Sequence, residues 1–114
     1  LEERLAAAKA AGIPESNLLA DPGIGFGKRI GDNLALIRRL GEFRCLGVPI
    51  VLGHSRKSFL GALTGVGDAG SRDPATAALS AMAARDADIL RVHDVPGTVQ
   101  AVRVALAVHG GEPG

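Results

Sequence analysis

Charged and polar residues in this chain recur just after short apolar runs. Asp21 closes the run Leu18-Leu19-Ala20. Ser55, Arg56, Lys57 and Ser58 follow Val48-Pro49-Ile50-Val51-Leu52, and Arg91, His93 and Asp94 fall in the last part of the segment from Ile89 to Val95. An acid, several cations and an imidazole therefore come from three separate stretches. Each has a chemical use and a plainer reading. The Asp21 carboxylate offers one oxygen to each N–H of a flat, donor-rich heterocycle such as an amino-pyrimidinone. Asp21 also opens an Asp-Pro-Gly turn, where aspartate commonly bonds its own backbone. Lys57 and Ser58 stand at a strand-to-helix turn, where free N–H groups attract anions; the alternative is a solvated basic loop. Arg91 and His93 are two apart, so on a strand they share one face, with Leu90 and Val92 turned toward covering helices. An unpaired buried arginine is costly. Arg91 is thus read as an anion or substrate contact, or as the partner of a neighbouring carboxylate. His54 and His109 are read as structural or surface residues.

The elements that position these groups follow from pattern. Residues 1–11 are strong helix formers stopped by Gly12 and Pro14. Leu18 to Ala20 reads as a short buried strand. Residues 22–31, PGIGFGKRIG, form a glycine-rich loop. Asp32 is expected to cap a helix that carries Leu34, Ile37, Leu40 and Phe43 and ends at Gly47. Val48 to Leu52 is continuously apolar, as in a parallel strand covered on both faces. A helical turn over Ser58 to Leu63 precedes a glycine-rich segment. Asp73-Pro74 marks a helix start, with Asp73 as cap, running to about Arg85. Ile89 to Val95 reads as a third strand, Pro96-Gly97 as a turn, and Val99, Val102 and Leu106 as one face of a last helix ending near Gly110. Strands alternating with helices predict an α/β fold, three parallel strands with covering helices. The C-terminal strand ends of such a sheet share one rim, which is where open α/β sheets and (β/α)₈ barrels place their active sites.

Composition removes several classes. The 114 residues are 46% hydrophobic with a formal net charge of +1, enough apolar material for a core and no strong field toward nucleic acid or an acidic membrane. There is no Trp or Tyr, and only Phe26, Phe43 and Phe59 could stack on bases. Cys45 is the only cysteine, which excludes an internal disulfide and fits a reducing, cytoplasmic setting. No apolar stretch approaches the roughly 18 to 20 residues of a membrane span. The opening LEERLAAAKAAG has neither a signal-peptide core nor an initiator Met, so the chain is expected to begin partway through a longer protein. Two motifs fail. In GIGFGK, Pro22 stands where a phosphate loop needs its first glycine, and Arg29 where it needs Ser or Thr; the glycines at 23, 25 and 27 lack dinucleotide-fingerprint spacing. No helix carries a metal-ligand pair at the required spacing.

Three segments, DPGIGFGK (Asp21 to Lys28), SRKSFLG (Ser55 to Gly61) and ILRVHDV (Ile89 to Val95), together resemble the last three motifs of the dihydropteroate synthases, in order, spacing and placement on strands. The resemblance covers nearly the whole chain. It implies part of a (β/α)₈ TIM barrel, its sixth, seventh and eighth strands, and residues 1–114 as the C-terminal part of one pterin-binding domain. The implied reaction joins 6-hydroxymethyl-7,8-dihydropterin pyrophosphate to p-aminobenzoate, with Mg²⁺ assisting. The implied roles are Asp21, Gly25, Lys57 and Arg91 on the pterin; Phe26, Lys57 and Ser58 on p-aminobenzoate; and Arg91 and His93 on pyrophosphate. Asp21, Lys57 and Arg91 would be catalytic. The Mg²⁺ ligand and the remaining pterin-pocket residues would lie outside this chain, which on its own is expected to be inactive. A homodimer is implied through the late helices. A pterin-dependent methyltransferase shares the barrel and the aspartate, but that family has Asn where Arg56-Lys57 stand here. A synthase-like paralogue that binds pterin without turnover is the non-enzymatic alternative. A sugar-phosphate barrel would need a glycine-rich loop where His93-Asp94-Val95-Pro96-Gly97 stand.

Overall fold

The computed structural model describes residues 2–13, 18–25 and 29–110. Helix α1 spans Glu2–Ala10 and α2 spans Ile30–Arg38, continued by a 3₁₀ segment over Leu40–Leu46. Strand β1 is Val51–Leu52, α3 is Ser58–Thr64, α4 is Asp73–Ala83, β2 is Ile89–Leu90 and α5 is Val95–Val108. The two strands are parallel, with Val51 opposite Ile89 and Leu52 opposite Leu90. The first predicted strand survives as a single parallel bridge between Ala20 and Ile50, closed by Ala20 N–H to Pro49 O at 2.9 Å and Val51 N–H to Ala20 O at 2.8 Å. The order across the sheet is therefore Ala20, β1, β2, all parallel.

The strand in the middle is buried on both faces, as its unbroken apolar run requires. Ile50 and Leu52 join Ala20, Ile24, Leu40, Phe59, Leu60, Leu79 and Ala83 in one core. Ile89 on the outer strand is half exposed, which marks an edge. The register between the two strands is locked at their entry. Asp88 accepts the Ile50 N–H at 2.8 Å and both Arg44 contacts at 2.9 and 3.0 Å. These bonds, first from the Ile50 amide and then from Arg44, hold the Asp88 carboxyl below the usual range.

Several boundaries differ from the pattern-based expectation. The cap of α2 is Arg29, and Asp32 sits inside the first turn, where its charge still favours the helix dipole. Arg72, not Asp73, caps α4; Asp73 lies in the first turn and pairs with Arg56. The third strand stops at Leu90 rather than Val95. Asp94 accepts the Gly97 N–H at 3.2 Å and starts α5, so Pro96-Gly97 is the first turn of that helix. Gly47 and Gly110 end their helices as expected, both with left-handed backbone.

Candidate functional site

The strand ends do meet at one rim. Asp21 uses one oxygen to accept the Gly23 N–H at 2.8 Å, and its other oxygen stands 3.5 Å from the Arg91 guanidinium. The turn reading of Asp21 is thus realised on one oxygen, and the other oxygen faces Arg91. The ion pair is wet, with the two side chains 37% and 60% exposed, so its own stabilisation is small. A loosely held carboxylate and guanidinium are free to reorganise around a ligand.

Three residues assigned no individual role from sequence shape this rim. Gly53 follows β1 and is buried; a Cβ there would overlap the Arg91 guanidinium, so the missing side chain is the space that Arg91 fills. Arg91 N–H extends the ladder to Leu52 O at 3.0 Å, which sets where that side chain starts. Asn33 is buried on α2, and its Oδ1 accepts the Gly25 N–H at 2.9 Å. It occupies the apolar stripe of Ile37 and Leu40, and a polar residue in such a stripe is the signal that could have found it. Ser55 is the third: its Oγ lies 2.6 Å from His93 Nδ1 and accepts the His93 N–H at 3.1 Å.

Gly25 and Lys57 come together. Gly25 has φ of +87°, and a Cβ there would stand 3.0 Å from Lys57 Cδ. Lys57 caps α3 and is half-buried. Ser58 is exposed in the first turn of α3, at the margin of the rim. Gly53, Ser55, Lys57, Arg91, Val92 and His93 line a cavity of about 190 Å³. Phe26 lies outside the described residues. Arg56 does not face the rim. Its backbone is left-handed at φ of +58°, and its guanidinium bonds both oxygens of Asp73 at 2.8 and 3.0 Å. That pairing raises Arg56 and lowers Asp73 from their usual values. Arg72 to Arg56 O at 2.9 Å and Arg56 N–H to Thr76 Oγ1 at 3.1 Å hold the same turn. Arg56 is therefore a brace that presents Lys57.

His54 is fully buried, bonding Ser80 Oγ at 2.7 Å and Thr76 O at 3.2 Å through Nε2, while Nδ1 has no partner. Burial depresses its pKa. It is structural. His109 is exposed at the end of α5. A larger groove of about 450 Å³ runs between α4, β2 and α5, but Leu90, Val92, Val99, Val102 and Leu106 make it mainly apolar, and none of the rim's charged groups reaches it. Leu90 lines this groove alone, whereas Val92 borders both the groove and the rim cavity. Among the described residues no three His, Cys, Asp or Glu side chains converge as a metal site. No described helix is long and apolar enough to cross a membrane.

Residues 1–93 match the family model described as pterin binding enzyme. The chain belongs to that family. It is 50% identical over 112 residues to a probable bifunctional folylpolyglutamate synthase/dihydropteroate synthase of Halobacterium salinarum, covering 97% of this chain and 14% of that protein. It is 43% identical over 105 residues to the dihydropteroate synthase of Escherichia coli K12, covering 92% of this chain and 37% of that one. The solved dihydropteroate synthase of Xanthomonas albilineans in complex with 7,8-dihydropteroate superimposes with a TM-score of 0.90 at 45% identity, over 96% of this chain and 44% of that chain. The same enzyme is also solved with 4-aminobenzoic acid. This chain thus spans from about a seventh to somewhat under half of these relatives. Its parallel strands and covering helices are part of the (β/α)₈ barrel of the dihydropteroate synthases, as the three motifs implied.

Proposed function

We propose that this chain is the C-terminal part of a pterin-binding barrel domain in a dihydropteroate synthase, which condenses 6-hydroxymethyl-7,8-dihydropterin pyrophosphate with p-aminobenzoate. The observation that carries the reading is the rim itself: Lys57, Arg91 and His93 line one small cavity, and Asp21, from a third strand end, stands 3.5 Å from Arg91. It is supported by relatives that bear this name and by a relative solved with 7,8-dihydropteroate and with 4-aminobenzoic acid.

In this reading the arylamine nitrogen attacks the pterin methylene carbon. The C–N bond forms as the C–O bond to pyrophosphate breaks. The electron pair leaves on pyrophosphate, and the amine gives its proton to solvent. Arg91 and His93 receive the developing negative charge. The Asp21 oxygen beside Arg91 turns to the pterin ring and stabilises positive charge at the methylene as the leaving group departs. Lys57, lying on Gly25, closes the pterin side and borders the p-aminobenzoate site with Ser58 and Phe26. Magnesium belongs to this proposal through ligands other than the described residues, which assemble no metal site, and no step above uses it. A cytoplasmic location and a homodimer through the late helices complete the proposal. The second is supported by Val104 and Val108, which stand one turn apart on α5 and are both well exposed, an apolar patch of the kind partners cover.

The test is pyrophosphate release from the dihydropterin pyrophosphate by the full reading frame that encodes this chain, with and without p-aminobenzoate. Release that needs p-aminobenzoate and collapses in Lys57→Ala is the expected result. Pterin binding without release would overturn the synthase reading and leave a non-catalytic pterin binder or a methyltransferase.

A further inference from the structure

We propose that Ser55 is a positioning residue that fixes both the place and the tautomer of His93, so that His93 meets the leaving group as a neutral Nε2–H donor. The role of His93 rests on the functional reading above; the tautomer does not.

His93 needs an outside support. Strand β2 ends at Leu90, and the last ladder bond is Arg91 N–H to Leu52 O. Two residues later the chain bends toward α5, and no strand partner holds it. Ser55 supplies what the ladder does not. Its Oγ accepts the His93 backbone N–H at 3.1 Å and lies 2.6 Å from the ring Nδ1. One hydroxyl therefore anchors both the main chain and the imidazole.

The hydroxyl also decides the proton. A hydroxyl has one proton and two lone pairs. With one lone pair on the His93 N–H, it can accept from Nδ1–H or donate to a bare Nδ1, and only the second arrangement gives its own proton a partner among the described residues. Among the described residues the sole acceptor in contact with that hydroxyl is His93 Nδ1. Nδ1 is then the bare nitrogen and Nε2 carries the hydrogen. A bare Nε2 would repel a phosphate oxygen, whereas Nε2–H donates to it.

Ser55 is itself rigid. It is only 8% exposed, and both its neighbours are tied to α4. His54 bonds Ser80 and Thr76 inside the core, and the Arg56 N–H bonds Thr76 Oγ1. The position of His93 is thus keyed, across 38 residues of sequence, to a helix on the outer layer.

The experiment is long-range ¹⁵N–¹H NMR of the full protein labelled at histidine, at about pH 8, above the ordinary imidazole range. His93 is assigned by the signal lost in His93→Gln. Wild type is expected to show the Nε2–H pattern. Ser55→Ala is expected to lose it and to weaken binding of inorganic pyrophosphate roughly ten-fold, the lower end for removing a residue that orients a liganding histidine. Ser55→Thr, which keeps the hydroxyl, is expected to restore both. A wild-type Nδ1–H pattern, or a pattern unchanged in Ser55→Ala, overturns the proposal, and the wild-type spectrum decides even if the alanine variant does not fold. Absent synthase turnover with the Nε2–H pattern and its Ser55 dependence intact would sink the functional reading and leave the positioning role standing.

Discussion

Replacing Gly53 by alanine separates the stability of this rim from its chemistry. The backbone at Gly53 is not left-handed, so an alanine is not strained by dihedral preference. The added methyl would overlap the terminal nitrogen of Arg91 and approach its central carbon to 2.7 Å and Nε to 3.1 Å. Those atoms are the far end of a flexible, 60% exposed side chain, so the guanidinium swings away at little cost to folding. The expected stability change is within about 1 kcal/mol. The chemical change is larger, because Arg91 leaves the position where it faces Asp21 and the leaving group. Loss of one preorganised charge contact costs about 10²-fold or more in rate, about 2.7 kcal/mol or more of transition-state stabilisation. The assay is p-aminobenzoate-dependent pyrophosphate release by the full protein beside a thermal melt. Gly53→Ala should match Arg91→Ala within a few-fold, and the double variant should be no worse than either, the non-additivity of two changes that remove one contact. Activity within about three-fold of wild type, or a loss that only tracks a lowered melting temperature, would refute the claim that Gly53 exists to seat Arg91.

Asn33→Ala should cost about 1 to 3 kcal/mol in chemical denaturation, since it strands the Gly25 N–H, and should raise KM for the pterin substrate by loosening the loop after Asp21. Gly25→Ala should lower activity more than Gly31→Ala, because only Gly25 combines a left-handed backbone with a close side chain, Lys57; equal losses would count against that contact. His54 gives a pH dependence. Above its ordinary value of 6.5 it is neutral folded and unfolded; as pH falls below that, the unfolded chain takes a proton that buried His54 refuses. Stability should fall by up to about 1.4 kcal/mol per pH unit there, and a His54→Gln variant should flatten that slope in denaturation measured between about pH 7 and pH 5. Asp73→Asn should free Arg56 and raise KM for both substrates with a smaller effect on folding; unchanged kinetics would show that the brace behind Lys57 is dispensable.

The boundaries that sequence pattern misplaced share a cause. Asp32 and Asp73 both look like helix caps, because an acidic side chain is favourable anywhere in the first turn and pattern does not resolve which residue takes the cap. The third strand was read five residues too long on the side of His93. Its alternation continues to Val95, but Asp94 finds a better use in bonding the first turn of α5. Arg56 looked like a rim cation beside Lys57, and only the position of Asp73, on a helix seventeen residues away, turns it outward.

From sequence alone came the parallel α/β order, the buried middle strand, and the convergence of Asp21, Lys57, Arg91 and His93. These follow from local facts: unbroken apolar runs make buried parallel strands, and residues just past their ends must share a rim. The tertiary structure alone assigned Gly53, Asn33 and Ser55. A glycine leaves no trace of the side chain that fills its space, and a serine none of the histidine it orients. Each of those roles is a contact between segments far apart in sequence, and no local pattern records which residue stands opposite.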